Sequence, residues 1–370
     1  MLQEKDVRVG SGPACRDILE KACREEELNA RDVVRLLSIH DERELWALHE
    51  AAGCVRRRHF GNEIYLYGFL YLSTFCRNGC AFCYFRADNT QCNRYRKSTE
   101  EIVQAARRLE QSGVHLLDLT MGEDPFFHRQ PEGFASLLDM VRTVRSATSL
   151  PLMLSPGVVP SGVLQEMKQA GVSWYACYQE TYSRKLFTAL RRGQSFDRRM
   201  EAKRNAQRLG LLTEEGILCG VGERHSDLAQ SLLTMSGLGF DQLRAMTFVP
   251  QAGTPMESHR SEDPDMELKI IAILRLLNPA QLIPASLDVG GLRGLRQRLR
   301  AGANVVTSIV PPGCGLSGVA NHALDIENFN RTVERIGSEI ESLGLEKGSL
   351  NGYRNWIRQA SPAGAPDVPA

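Results

Sequence analysis

The stretch FLYLSTFCRNGCAFCYF, residues 69–85, carries the end of a β-rich run straight into a loop that holds three cysteines. The run IYLYGFLYLS (64–73) is aromatic and aliphatic throughout and reads as a strand. Behind it, Cys76, Cys80 and Cys83 stand in a C-x3-C-x2-C spacing. Three thiolates so close in one loop can wrap an iron–sulfur cubane and leave its fourth iron without a protein ligand, whereas cubanes usually take four cysteines. An iron left open can chelate a ligand that carries both an amine and a carboxylate. Zinc is the competing reading, but it wants a fourth Cys or His at finger-like spacing, and neither His59 nor Cys92 sits in such a pattern. Unligated surface thiols at this density would be an oxidation hazard.

Outward from that loop the chain alternates short β-rich runs with amphipathic helical segments, the pattern of a parallel sheet. Further strands are expected at HLLDLTM (115–121), PLMLSP (151–156), SWYACYQE (173–180), EGILCGVG (215–222), QLRAMTFVP (242–250), LIPASLD (282–288) and NVVTSIV (304–310). Helices such as TEEIVQAARRLEQSG (99–113) and GFASLLDMVRTVRS (133–146) separate them. Eight strands, each followed by a helix, predict an α/β fold, a complete (β/α)₈ barrel of the TIM type, with a doubly wound open sheet as the alternative. In a barrel, the cysteine loop lies at the end of the first strand, where such folds build their active sites.

Before the barrel, residues 13–60 form a helical extension, with Asn29 and Asp41 as N-caps. The barrel itself spans 61–345. Residues 1–12 read as a disordered tail and 346–370 as a C-terminal segment whose Pro/Ala-rich end, SPAGAPDVPA, is disordered. A net charge of +1 gives no reason to expect nucleic acid or an anionic membrane as partner. No apolar run approaches the roughly 18–20 residues of a membrane span, and the N-terminus lacks a signal-peptide core, so a cytoplasmic protein is expected. Ten cysteines in so long a chain do not suggest a disulfide framework. Only the triad is clustered, which points to metal chemistry at one place.

Several motifs together resemble the radical S-adenosylmethionine (SAM) superfamily, in its biotin synthase-like branch, and most nearly the methylornithine synthase family. They are the cysteine stretch, NRYR (93–96), LLDLTMGEDP (116–125), SPGV (155–158), YQETY (178–182), LRRGQSFD (190–197), GILCGVG (216–222), RAMTFVPQAGTP (244–255), IPASLD (283–288) and ANVVTSI (303–309). The resemblance covers roughly residues 30 to 345. It implies a complete (β/α)₈ barrel holding a [4Fe–4S] cluster on Cys76, Cys80 and Cys83, with SAM as second cofactor. It also implies a carbon-skeleton mutase that turns L-lysine into 3-methyl-D-ornithine in pyrrolysine biosynthesis through a 5′-deoxyadenosyl radical. A flavodoxin or ferredoxin is the expected reductant, and the charge and full barrel are compatible with a monomer.

For the cofactor, the resemblance places Gly122 and Glu123 of MGEDP at SAM's amino group, although a Gly-Glu pair is also an ordinary turn. Ser155 ends the third strand as a hydrogen-bonder. Glu180 offers a carboxylate to the ribose, and Arg191 a guanidinium to the SAM carboxylate; the choice of Arg191 over Arg192 rests on the resemblance. The resemblance also lets Gly220 bring the fifth strand close to the adenine, although glycines at a strand end also make plain turns. Phe82 faces the adenine or is simply a core aromatic.

For the substrate, charges inside apolar strands are costly unless paired. Asp118, Arg244 and Asp288 stand out, and Ser286 shares a strand face with Asp288. Such a set suits an α-amino acid with a second ammonium: Arg244 and Ser286 for the carboxylate, Asp118 and Asp288 for the ammonium groups. Internal pairing of Arg244 with an acid is the plain alternative, and the resemblance favours the ligand reading. Cys177 and Cys219 read as packed core thiols rather than ligands of a second cluster. A related enzyme for another small amino acid, or a non-catalytic iron–sulfur protein, are the remaining alternatives.

Overall fold

The structure, a computed structural model, describes residues 14–129, 132–260, 263–316 and 331–360; the expected tails 1–12 and 361–370 lie outside them. The strands are β1 (Glu63–Ser73), β2 (Leu116–Met121), β3 (Leu152–Ser155), β4 (Val172–Ala176), β5 (Leu212–Cys219), β6 (Gln242–Thr247), β7 (Pro284–Ser286) and β8 (Val305–Ile309). They form one sheet in the order β6-β5-β4-β3-β2-β1-β8-β7, all neighbours parallel. Between β6 and β7 a single bridge, Gln242 to Leu282, brings the sheet round into a barrel. Two hydrogen bonds serve it, Leu243 N–H to Leu282 O at 3.0 Å and Leu282 N–H to Asp241 O at 3.1 Å.

Three helices precede the barrel: α1 (Cys15–Cys23), α2 (Ala30–Leu37) and α3 (Glu42–Phe60). The outer layer is α4 (Thr99–Ser112), α5 (Pro125–Arg129), α6 (Gly133–Ala147), α7 (Ser161–Gln169), α8 (Arg184–Leu190), α9 (Phe196–Arg208), α10 (His225–Gly237), α11 (Met266–Leu277), α12 (Gly291–Arg300) and α13 (Val333–Glu341). Asn29 caps α2 through Arg31 N–H and Asp32 N–H, and Asp41 caps α3 through Arg43 N–H and Glu44 N–H, as their side-chain chemistry requires. Helices α1–α3 neither plug the barrel nor cover its mouth; they lie on the outer layer against α10, α11 and α12. Ser38 Oγ meets His225 Nδ1 there at 2.9 Å. No helix among the described residues is long and apolar enough to cross a membrane.

The base of the barrel is closed by residues beyond the expected limit at 345. A short strand β9 (Glu346–Lys347) pairs with β1, and α14 (Leu350–Ala360) follows it. Tyr353 and Ile357 are buried among Tyr65, Tyr67, Met153, Trp174 and Leu212 of the strands. The Tyr67 and Tyr353 hydroxyls lie 2.7 Å apart, and Trp356 stacks on Trp174 at 5.8 Å. His115 ties the segment down: its Nδ1 accepts from Leu66 N–H at 2.8 Å while its Nε2 reaches Gly348 O at 2.7 Å. That pairing makes Nε2 the protonated nitrogen, and burial lowers the ring's pKa.

Several strand limits differ from the sequence expectation, two of them with consequences for the site. Strand β5 starts at Leu212 rather than 215, so Glu214 joins Glu215 in the wall, and both are fully buried. Strand β4 ends at Ala176 rather than 180, and the chain turns so that Glu180 has φ +69°.

Candidate active site

Residues 74–98, from β1 to α4, fold around Arg94. Its guanidinium donates to the carbonyls of Thr74, Phe85 (3.0 Å), Arg86 (2.6 Å) and Asn89 (3.3 Å), satisfying backbone acceptors that no ladder reaches. Arg96 forks onto Asp124 at 2.8 Å through both nitrogens. Both arginines of NRYR are therefore frame. What they frame is a cavity of about 290 Å³ at the C-terminal ends of the strands, whose wall includes Cys76, Cys80 and Cys83.

Around the thiols the contacts are close. A Cβ on Gly122 would lie 2.8 Å from Cys76 Cβ and 3.0 Å from its sulfur, so only glycine lets the end of β2 pass this loop. Cys80 Sγ accepts from Gln194 Nε2 at 3.0 Å and Arg191 Nη1 at 3.6 Å, and Cys76 Sγ from Asn78 N–H at 3.5 Å. Burial, with Cys80 and Cys76 nearby, pushes the Cys83 thiol well up. Among the described residues no three His, Cys, Asp or Glu side chains converge as the ligands of one metal ion would. Three neighbouring thiols, each on its own stretch of wall and two of them met by N–H donors, fit a multi-iron cluster with one thiolate per iron better than a single zinc.

The expected cofactor residues share this cavity, with one exception. Phe82, Gly122, Glu123, Ser155, Glu180 and Arg191 all line it; Gly220 is not in its wall. Gly220 has φ +82° and gives its N–H to Glu223 at 2.7 Å, while Leu218 and Phe248 occupy the wall nearby. Arg191 donates to Glu180 Oε1 at 2.6 Å and lies over the Phe82 ring at 5.5 Å. Among the described residues Glu180 Oε2 is buried without a partner, and burial raises its carboxyl's pKa against the pull of Arg191. An unpartnered carboxylate oxygen in a cavity wall is poised for a hydroxyl donor such as a ribose, so the wall fits a nucleoside. Glu123 is already engaged: Val158 N–H reaches it at 3.1 Å and Arg77 Nε at 2.9 Å. Burial alone would raise its pKa, but Val158 N–H with Arg199, His128 and Arg77 holds it below the ordinary value. Ser155 Oγ turns toward Asp118, at 3.3 Å from Oδ1, and so joins the opposite group.

That group is the lumen set. Asp118, Arg244, Ser286 and Asp288 line the same cavity. Arg244 gives Nε to Glu214 at 2.6 Å and Nη1 to Thr307 Oγ1 at 3.0 Å, so the internal pairing with an acid does exist. It leaves Nη2 without a hydrogen-bond partner among the described residues. Asp288 accepts from Ser286 Oγ at 3.1 Å, Ser308 Oγ at 2.9 Å and Arg331 Nη1 at 2.8 Å. Asp118 has its pKa pushed up to about 7, by burial first and by Glu214 second, with Arg244 opposing.

Sequence reasoning missed Glu214, Thr307, Ser308 and Arg331. Glu214 was hidden by the late start given to β5, whose expected run began one residue later, at Glu215. Thr307 and Ser308 sit in the expected strand NVVTSIV, and the φ of +67° at Ser308, rare outside glycine, has no signature in the sequence. Cys177 and Cys219 are both buried, as packing predicts, though Cys177 also lines the cavity.

Against known proteins, the family model described as the Radical SAM superfamily matches residues 70–235. The 3-methylornithine synthase of Methanosarcina acetivorans is 44% identical, over 92% of this chain and 96% of its own length. That of Methanosarcina barkeri is 42% identical, over 86% and 90%. A crystal structure of methylornithine synthase superimposes with a TM-score of 0.87 at 41% identity, covering 92% of this chain and 99% of that one.

Proposed function

This chain belongs to the radical SAM superfamily and, within it, to the family of the 3-methylornithine synthases; from that premise we propose that it rearranges L-lysine into 3-methyl-D-ornithine, a step of pyrrolysine biosynthesis. The observation that carries the reading is one cavity with thiols on one side and a zwitterion-matching set on the other. Cys76, Cys80 and Cys83 would hold a [4Fe–4S] cluster, and together with bound SAM that cluster supplies a 5′-deoxyadenosyl radical.

The chain's own residues bind, orient and exclude. Arg191 fixes the Glu180 carboxylate and reaches the Cys80 sulfur, so one planar fork would order both the residues that hold SAM and those that hold the cluster. Arg244, neutralised from behind by Glu214, keeps one nitrogen for the substrate carboxylate. Asp118 exchanges its proton for an ammonium, because a cation at hydrogen-bonding distance favours the charged carboxylate. Asp288 accepts the other ammonium beside Ser286. A substrate held at both ends cannot swing away while a carbon–carbon bond breaks and re-forms. The aliphatic and aromatic wall, Phe69, Tyr71 and Met246 among it, excludes water and other hydrogen donors. A flavodoxin or ferredoxin would deliver the electron.

The test is anaerobic incubation of the reconstituted protein with SAM, dithionite and isotope-labelled L-lysine, read by chiral mass spectrometry. The expected result is an isomer of unchanged mass with a branched ornithine skeleton, abolished by Cys80→Ala. SAM cleavage without any product from lysine overturns the substrate; no SAM cleavage by a loaded cluster overturns the radical chemistry.

A further inference from the structure

The barrel has a seam. Above the bridge of Gln242 with Leu282, β6 and β7 share no ladder, although the residues at their upper ends form the lumen wall. Side chains from the outer helices fill the gap. Thr247 Oγ1, at the end of β6, donates to Glu267 Oε2 of α11 at 2.5 Å. Arg298 of α12 forks onto that same carboxylate, Nε and Nη2 each at 2.7 Å. The remaining nitrogen of Arg298, Nη1, donates to Val289 O at 2.9 Å, the residue directly after Asp288. All four residues line the cavity, and the side chains of Arg298 and Glu267 are only 5% and 7% exposed. Room for the fork is kept by Gly294, where a Cβ would come within 2.3 Å of Arg298 Nη1.

We propose that Thr247, Glu267 and Arg298 are positioning residues that close the β6–β7 seam and fix the Asp288 carboxylate at its distance from Arg244. A buried ion pair is weak as plain stabilisation, but a planar fork satisfied on both edges transmits position. The strut acts where strand pairing is missing, so it sets the width of the lumen between Arg244 on β6 and Asp288 past β7. It therefore governs how well a diamino acid spans the two. This rests on the substrate reading above.

The experiment compares the wild type with Arg298→Lys, which keeps the charge and loses the fork, and with Thr247→Val, which keeps shape and leaves the ion pair intact. KM for lysine, KM for SAM, and the ratio of product to 5′-deoxyadenosine are measured, with amide hydrogen exchange over residues 287–291. The expected result is a lysine KM raised about tenfold or more, within the ~10²-fold that a misplacement of about 1 Å can cost. KM for SAM is expected to stay within about twofold, the product ratio to fall, and exchange at 287–291 to quicken. Thr247→Val keeps the test open should Arg298→Lys not fold. Lysine KM and product ratio both unchanged in a folded variant, whatever its melting temperature, overturn the strut. A wild type that makes no product from lysine overturns the substrate reading instead, and exchange at 287–291 unaltered in Thr247→Val then overturns the strut independently.

Discussion

Arg191 stands between Glu180 and Cys80, with Nη2 2.6 Å from the Glu180 carboxylate and Nη1 3.6 Å from the Cys80 sulfur. One guanidinium thus ties the loop after β4 to the cysteine loop. Lysine in its place has a single point of charge and cannot serve both. Arg191→Lys is expected to weaken SAM binding about tenfold, the equivalent of ~1.4 kcal/mol, while cluster loading is retained. Equilibrium binding of SAM to the reconstituted variant, beside iron and sulfide content, checks this.

Asp118 predicts a pH dependence. Its folded pKa of about 7 lies above the ~3.9 of an unfolded chain. The empty protein is therefore stabilised by this group below about pH 4 and loses that contribution as pH rises through 7. Asp118→Asn removes the dependence, so the variant should gain on the wild type at pH 8 relative to pH 5, by at most about 3 kcal/mol. Denaturant unfolding at the two pH values measures it. Lysine binding follows the opposite course: its KM should rise as pH falls below 7, where Asp118 holds its proton, and Asp118→Asn should flatten that profile.

Glu214 is fully buried behind Arg244. Glu214→Gln leaves a buried guanidinium without its counter-charge, which costs about 3–5 kcal/mol. Loss of stability and a raised KM for lysine should appear together, because the same cation faces the lumen. Chemical denaturation and steady-state kinetics of the one variant test both.

Tyr353 separates stability from chemistry, because it sits at the opposite end of the barrel. Tyr353→Ala should cost about 3–5 kcal/mol through the cavity it opens. Tyr353→Phe should cost roughly 1–3 kcal/mol for the stranded Tyr67 hydroxyl. Neither should move KM for SAM or lysine in protein that remains folded, as kinetics well below the melting temperature will show.

The sequence made the architecture legible because each strand and helix carries a local period, and Asn29 and Asp41 announce their helices through caps that act within three residues. The cysteine triad was legible for the same reason, being a loop motif of fixed spacing. The lumen charges Asp118, Arg244 and Asp288 could be found as polar residues in apolar runs, but their partners could not. Glu214 meets Arg244 across 30 residues, and Arg331 meets Asp288 across 43. Nothing within either segment records the other. Gly220 is a glycine at a strand end, where a turn and a close ligand approach look alike in sequence; its amide meets Glu223, three residues on. The strut across the seam joins the end of β6, two helices and the loop after β7, and no periodicity points to it.

The base of the barrel has a consequence for synthesis. Tyr67 and Tyr353 lie 286 residues apart in sequence, an interval a ribosome covers in roughly 15 to 60 s. Throughout that time Tyr65 and Tyr67, and Trp174 once it is made, lack their partners Tyr353 and Trp356 on α14, and the nascent barrel is open at its floor. Sticky aromatic surface held in waiting is what folding assistants recognise, so the chain's yield in a foreign host should respond to chaperone supply and to translation speed more than its finished stability would suggest.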